Sequence, residues 1–195
     1  MGLAIRMPLP KTFTMEEYLV IERKATTKSE FHQGQILAMA GGMPAHNQIA
    51  VNISGALWIG LKGGPCTAYS GDQRVAVAGG EASYYPDVSV ICGELKQYGR
   101  HRDVAANPKV VVEIQSKSTG RYDRLVKLPL YQRTPTITDI ILVSQDRDRV
   151  EHFSRSEKPG KWKSTVHTAL SDVIELASIG CQVVLSDIYL NVRCD

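Results

Sequence analysis

Apolar and polar residues alternate along the chain with two periods, and the switches between them mark out a helix, a hairpin, a long helix and then mostly strands. Thr14-Met15-Glu16-Glu17 has the form of a capping box, with Phe13 and Tyr18 spaced as a hydrophobic staple, and predicts a first helix to about Arg23. Two short stretches around Gln33-Gly34 read as a hairpin. From Pro44 to Leu61 a helical stripe carries Ile49, Ile53, Leu57, Trp58 and Leu61, all assigned to the core, and Gly63-Gly64 ends that helix. Strand-like runs then cover Cys66 to Tyr69, Gln73 to Ala78, Tyr85 to Cys92 and Lys109 to Gln115, with Ile137 to Ser144 and Arg149 to Phe153 following a further helix. Gly79-Gly80 and Asp146-Arg147-Asp148 read as turns, and Val173 to Val192 as edge strands or a closing helix. No repeat or low-complexity tract interrupts the pattern, so residues 1–195 are expected to form a single domain with a substantial core.

Within this pattern, Val110-Val111-Val112-Glu113-Ile114-Gln115-Ser116 places a carboxylate in an apolar strand. Strand alternation puts Val111, Glu113 and Gln115 on one face and Val112 and Ile114 on the other. A charge among these residues is costly to bury unless it is paired, protonated or bound to a metal. An ion pair with Lys127 or Arg124 would explain it, and so would metal ligation. Asp87, in Tyr85-Pro86-Asp87, heads a second apolar run. Alone it reads as an ordinary turn aspartate. Beside Glu113 it gains a second meaning, because neighbouring strands lie about 4.8 Å apart and carboxylates at matching heights can share a hard cation such as magnesium.

After Glu113 the chain turns into a helix from Arg121 to Arg133, with Ser116, Ser118, Thr119 and Gly120 available as caps and Leu125, Leu128 and Tyr131 as its apolar positions. Asp123 and Lys127 are four apart and share a face, as a surface ion pair would. The functional alternative sends Lys127 back over the strand end toward Asp87 and Glu113. Pro129 cannot donate to the carbonyl of Leu125 and is expected to kink or restart the helix.

The order Pro-Asp, then Glu-x-Gln-Ser, then Thr-x-x-Tyr-Asp-x-x-x-Lys-x-x-x-Tyr resembles the small bacterial putative restriction endonucleases of the PD-(D/E)XK nuclease superfamily. The resemblance extends over most of the chain. Glu30 to Ile36 is similar to that family's N-terminal hairpin, Ala45-His46-Asn47 to the start of its long helix, and Asp72 to Val75 to a strand before the site. It implies an α/β fold with a central mixed β-sheet flanked by helices, preceded by an N-terminal helix and hairpin. It also implies Asp87 and Glu113 as ligands of Mg²⁺ or Mn²⁺, with Gln115 or the Ile114 carbonyl completing the protein donors. The superfamily pattern places lysine two residues after the second acid, where this chain has Gln115. Lys127 is then the candidate for the displaced lysine, and Glu30 adds a further carboxylate near the metal. The expected activity is Mg-dependent hydrolysis of phosphodiester bonds in nucleic acid, with DNA as substrate and a homodimer to cut both strands.

Composition neither demands nor opposes this. With 23 basic and 20 acidic residues the formal net charge is +3, so bulk charge does not announce a nucleic-acid partner. Basic clusters at Lys96–Arg102, Arg121–Lys127 and Lys158–Lys163 read singly as solvated loops. Cys66, Cys92, Cys181 and Cys194 form no Cys-x-x-Cys pair and read as reduced thiols. No histidine accompanies a nucleophile motif, which leaves acyl-transfer chemistry without support, and His46 reads as a capping or substrate-contacting residue. The N-terminus lacks a signal peptide's pattern and no apolar run reaches the length of a membrane span, so a cytoplasmic protein without membrane contact is expected. Two alternatives stay open: a catalytically inactive nucleic-acid-binding or dimerising module with a nuclease-like fold, and a metal hydrolase acting on a small substrate.

Overall fold

The computed structural model describes residues 12–193; the reading of the N-terminal segment and the thiol of Cys194 fall outside them. In chain order the elements are α1 (Met15–Glu22), β1 (Ser29–His32), β2 (Gln35–Ala38), α2 (Pro44–Leu61), β3 (Cys66–Ser70), β4 (Arg74–Val77), β5 (Ala82–Tyr84), β6 (Val88–Cys92), β7 (Gln97–Tyr98), β8 (His101–Ala105) and β9 (Val110–Gln115). There follow α3 (Gly120–Tyr122), a π-helical turn (Asp123–Lys127), α4 (Leu128–Arg133), β10 (Asp139–Ser144), β11 (Val150–Arg155), β12 (Trp162–His167), β13 (Val173–Leu176), β14 (Cys181–Val184) and α5 (Leu185–Ile188).

The strands form two six-stranded mixed sheets, ordered β2-β1-β5-β4-β8-β7 and β12-β11-β10-β9-β6-β3, with β13 and β14 pairing separately. The mixed α+β class, the N-terminal helix and the hairpin agree with the pattern. The strands are shared between two sheets, where one central sheet was expected. Each large sheet has a single parallel pair, β4 with β8 and β9 with β10, and is otherwise antiparallel. Tyr85-Pro86-Asp87 does not continue β6 as a strand. It is the crossover from β5 in the first sheet to β6 in the second, and Pro86, without an N–H to offer, suits a segment that belongs to neither ladder.

Local chemistry accounts for the boundaries. The Thr14 side chain accepts from the Glu17 N–H while the Glu17 carboxylate accepts from the Thr14 N–H, so both arms of the capping box are made. The hairpin turns on Gln33 and Gly34 with φ of 45° and 90°, the paired positive values of a tight two-residue turn matched to strand twist. Beneath α2, Ile49, Ile53, Leu57 and Leu61 pack against Val110, Val112 and Ile114 of β9 and against β14 and α5. Gly60 lies directly over the sulfur of Cys181, where any β-carbon would overlap it, so the absence of a side chain sets how closely the helix approaches. Trp58, expected in this core, is 63% exposed: it follows Leu57 by one residue and so leaves the 3.6-residue stripe, with Lys62 stacked over its ring.

A second core lies on the other face of β9, where Val111 meets Val75, Val77, Tyr84, Leu128, Leu130 and Tyr131. The basic stretch 96–102, read as a loop, instead forms β7 and the start of β8. There His101 is buried between the carboxylate of Glu16 and the guanidinium of Arg23. Lys158–Lys163 likewise leads into β12, where Trp162 stacks under the Arg155 guanidinium at 4.5 Å. Cys66 and Cys92, read as reduced, are joined by a disulfide, because the antiparallel pairing of β3 and β6 sets them directly opposite each other. Their separation of 26 residues carried no local sign of this. Cys181 is free and buried. No helix among the described residues is long and apolar enough to cross a membrane.

Ile53→Ala is expected to lower the unfolding free energy by about 2–5 kcal/mol, and Trp58→Ala by under about 1 kcal/mol, which urea unfolding followed by circular dichroism compares directly.

Candidate active site

Strand register brings Asp87 into the neighbourhood of Glu113. The β6–β9 ladder ends with Val88 paired to Val112, so Asp87 and Glu113 are the residues that follow at that edge of the pairing. The Asp87 Oδ2 accepts the Ile114 N–H at 2.6 Å, which ties the crossover to β9 at that height. Its Oδ1 faces His46 Nε2 at 3.2 Å, from the first turn of α2. This hydrogen bond pushes the His46 imidazole above its ordinary pKa against the opposing effect of burial. The other ring nitrogen of His46 is buried, with no partner in hydrogen-bonding geometry among the described residues.

The sheet face that carries Val111 also carries Glu113, so its carboxylate enters the space between the two sheets and is only 4% exposed. Lys127 answers it. The Lys127 Nζ lies 3.2 Å from Glu113 Oε1, 2.9 Å from Glu30 Oε1 on β1 and 3.7 Å from Asp123 Oδ1, and over the rings of Tyr84 and Tyr122. Tyr131 donates its hydroxyl to the same Glu113 oxygen at 2.5 Å. Glu30 also accepts the Tyr85 N–H at 3.1 Å, so the crossover residue is hydrogen-bonded to the first sheet. One ammonium therefore stands among three buried carboxylates, contributed by both sheets and by the helix.

Pro129 explains how Lys127 arrives there. Without an N–H on Pro129 the carbonyl of Leu125 loses its helical partner, and the preceding turn widens into π geometry, in which the Leu128 N–H reaches back to Asp123. Asp123 and Lys127 are both buried by that turn, whereas Leu125, expected on the apolar face, is swung out to 60% exposure. Asp123 and Lys127 are thus not the surface pair that their spacing alone suggests.

Burial, and after it the neighbouring carboxylates, raise Glu113 well above the ordinary carboxylate range despite the attraction of Lys127. Burial likewise raises Asp123, to about 6. Burial works against the Lys127 ammonium, but Glu113, Glu30 and Asp123 outweigh it and hold its pKa above the usual lysine value. The cluster sets three carboxylates around one ammonium, and burial opposes the charged form of Glu113 and of Asp123.

Gln115 lies on the same face two residues further along β9, and its amide donates to the Gly120 carbonyl at 3.1 Å. Among the described residues no three His, Cys, Asp or Glu side chains converge as a ready cation cage. The donor chemistry nonetheless fits a hard divalent cation, because Mg²⁺ is commonly held by one or two carboxylates, waters and the substrate's own phosphate. Sequence reasoning picked out Asp87, Glu113, Gln115, Lys127 and Glu30, and the fold gathers Glu30, Glu113 and Lys127 into direct contact. Tyr131 and Asp123 it missed as site neighbours; their spacing of four residues on either side of Lys127 was the available signal.

Two mixed sheets joined by the crossover that carries Asp87, with helices packed against them, define a mixed α+β fold. The chain belongs to the Uma2 family, described as putative restriction endonuclease, whose model matches residues 15–187. Two similar proteins come from Synechocystis sp. (strain ATCC 27184 / PCC 6803 / Kazusa), both uncharacterized. Protein slr1290 is 34% identical over 93% of each chain, and sll1609 is 34% identical over 74% of this chain and 82% of its own length. The crystal structure of a putative nuclease of Anabaena variabilis ATCC 29413 belonging to DUF820 superposes with a TM-score of 0.73, over 91% of this chain and 97% of that one. At 16% identity it supports the fold alone.

The native Asp123 carboxyl, at about 6, binds a proton more tightly than in the unfolded chain, where the value is about 3.9. Its contribution to stability is therefore complete at low pH and lost as the pH rises from about 4 to about 6. The stability of wild type relative to Asp123→Asn is expected to fall over that interval and level off above it, in chemical denaturation series run with EDTA. A rise over the same interval would mean that Lys127 depresses this carboxyl.

Proposed function

We propose that this chain is a divalent-metal-dependent endonuclease that hydrolyses phosphodiester bonds of nucleic acid, with DNA as substrate, through Asp87, Glu113 and Lys127. The observation that carries the proposal is the contact of the Lys127 ammonium with Glu113 at 3.2 Å. It supplies a lysine where the sequence has Gln115 in the superfamily's lysine position. Asp87 and Glu113, with the Gln115 or Ile114 oxygen, would hold Mg²⁺ or Mn²⁺. When bound, the cation lowers the pKa of a water and offsets charge on the phosphate.

The chain's own residues do the rest. Tyr131 fixes Glu113 by occupying one of its oxygens, and the Ile114 N–H fixes Asp87. Glu30 holds the Lys127 ammonium from the far side. Lys127 orients the attacking water or donates to a phosphate oxygen as negative charge builds there. The water oxygen forms the new bond to phosphorus and gives its proton up to solvent, the ester P–O bond breaks, and the leaving oxygen takes a proton from solvent. Cutting both strands of a duplex calls for two such sites, hence a homodimer.

Thermal unfolding of wild type, Asp87→Ala and Glu113→Ala with and without millimolar Mn²⁺ tests the metal site, since binding to the native state raises stability without a known substrate. A metal-dependent rise in wild type alone is expected. Cleavage of plasmid DNA by Lys127→Ala should then be about 10²–10³-fold slower, as for loss of a charge-stabilising donor. Equal responses to metal in all three proteins, or unchanged cleavage by Lys127→Ala, would overturn these roles and favour a binding module without turnover.

A further inference from the structure

A groove of about 890 Å³ opens where β9 and β10, the parallel pair of the second sheet, reach their carboxyl ends. Gln115 and Ser144, which terminate these strands, form part of its wall. Five cationic side chains line it: Lys117, Arg121, Arg124, Arg147 and Arg149. Asp146 and Glu151 are the two acidic residues there, so the lining carries a surplus of three positive charges, as large as the +3 of the whole chain.

Glu151 does not quench this charge evenly. It binds both Arg124 and Arg149, at 2.5 and 2.6 Å, and so anchors two guanidinium groups against the wall. Lys117, Arg121 and Arg147 are exposed along the groove. Exposed cations lining one groove repel, and a polyanion is the ligand that relieves the repulsion.

Position supplies the second argument. Gln115 borders the groove and lies two residues from Glu113 on the same face of β9, about 7 Å along the strand. Arg121 and Arg124 flank Tyr122 and Asp123, on the same helix that delivers Lys127. A chain of phosphates with one member at Asp87 and Glu113 would therefore meet these cations within a few residues of the cut.

We infer that this groove is the track for the nucleic-acid backbone on one side of the scissile phosphate, with Lys117, Arg121 and Arg147 as its phosphate-binding residues. The inference rests on the nuclease reading for its ligand. None of the three residues touches the carboxylate cluster, so their loss should spare the metal site.

The test is binding of a labelled mixed-sequence DNA duplex, in EDTA, over a salt series, by wild type and by the triple variant Lys117→Ser, Arg121→Ser, Arg147→Ser. A second triple variant, Lys96→Ser, Arg100→Ser, Arg102→Ser, removes the same charge from another basic stretch. Groove neutralisation is expected to weaken binding at least tenfold at low salt and to flatten the salt dependence by about two to three units of logarithmic slope, one per lost phosphate contact. The control variant should change neither by more than a small fraction. Equal losses in both variants, an unchanged groove variant, or no binding by wild type would each overturn the track. Wild type that binds through the groove yet cleaves nothing with Mn²⁺ would overturn the catalytic reading and leave the track standing. Cleavage with unchanged KM in the groove variant would do the reverse.

Discussion

The buried ammonium of Lys127 is the constraint on which the centre of this molecule depends. Three carboxylates surround it, from β1, β9 and the π-helical turn. A charge in such a place costs several kcal/mol of hydration, and an unpartnered one would unfold a marginally stable domain. The two large sheets must therefore stay together for Glu30 to reach Lys127, and the helix must stay wide at Asp123–Lys127 for the lysine to point inward. A purely apolar junction would hold the sheets at least as well. That the chain keeps an over-acidic cluster instead, with Glu113 and Asp123 both pushed up by burial, is what gives the junction chemical meaning.

Around that cluster the remaining structure serves as support. Phenol rings close around it: Tyr131 donates to Glu113, and the rings of Tyr84 and Tyr122 lie against the ammonium. Such rings exclude water and still offer a negative face to the cation. Deeper in the first sheet, Arg74 donates to the Tyr85 hydroxyl, which in turn donates to Glu22. The crossover carrying Asp87 is thereby fixed to α1 through Tyr85, two residues before the aspartate. On the other side, α2 contributes an apolar stripe to the core and His46 to Asp87, so one helix both covers the second sheet and borders the site.

Charge is distributed unevenly over this frame. The interior cluster is acidic and the groove beyond Gln115 is basic, while the chain as a whole is close to neutral. This separation is what the proposed function requires, a cation at the reacting centre and a polyanion beside it. Bulk composition is blind to it, since opposite local excesses cancel in the sum.

Much of this was legible in the linear chain. The capping box at Thr14, the hairpin at Gln33-Gly34 and the span of α2 depend on neighbours within a few residues, and local chemistry determined them. Strand parity alone fixed that Glu113 and Gln115 share a face opposite Val112 and Ile114. The alternation could not say that Tyr85-Pro86-Asp87 is a passage between two sheets, that Cys66 lies opposite Cys92, or that Trp58 faces outward. It placed Lys127 near Glu113 only as one of two alternatives. Those outcomes follow from long-range pairing: the β3–β6–β9 ladder sets the cysteines and the two carboxylates at their heights, and the packing of β1 against β5 brings Glu30 across. Pro129 announced a break, but whether the helix would kink outward or widen inward was decided by the carboxylates waiting there, because only the inward turn gives the Lys127 charge its partners.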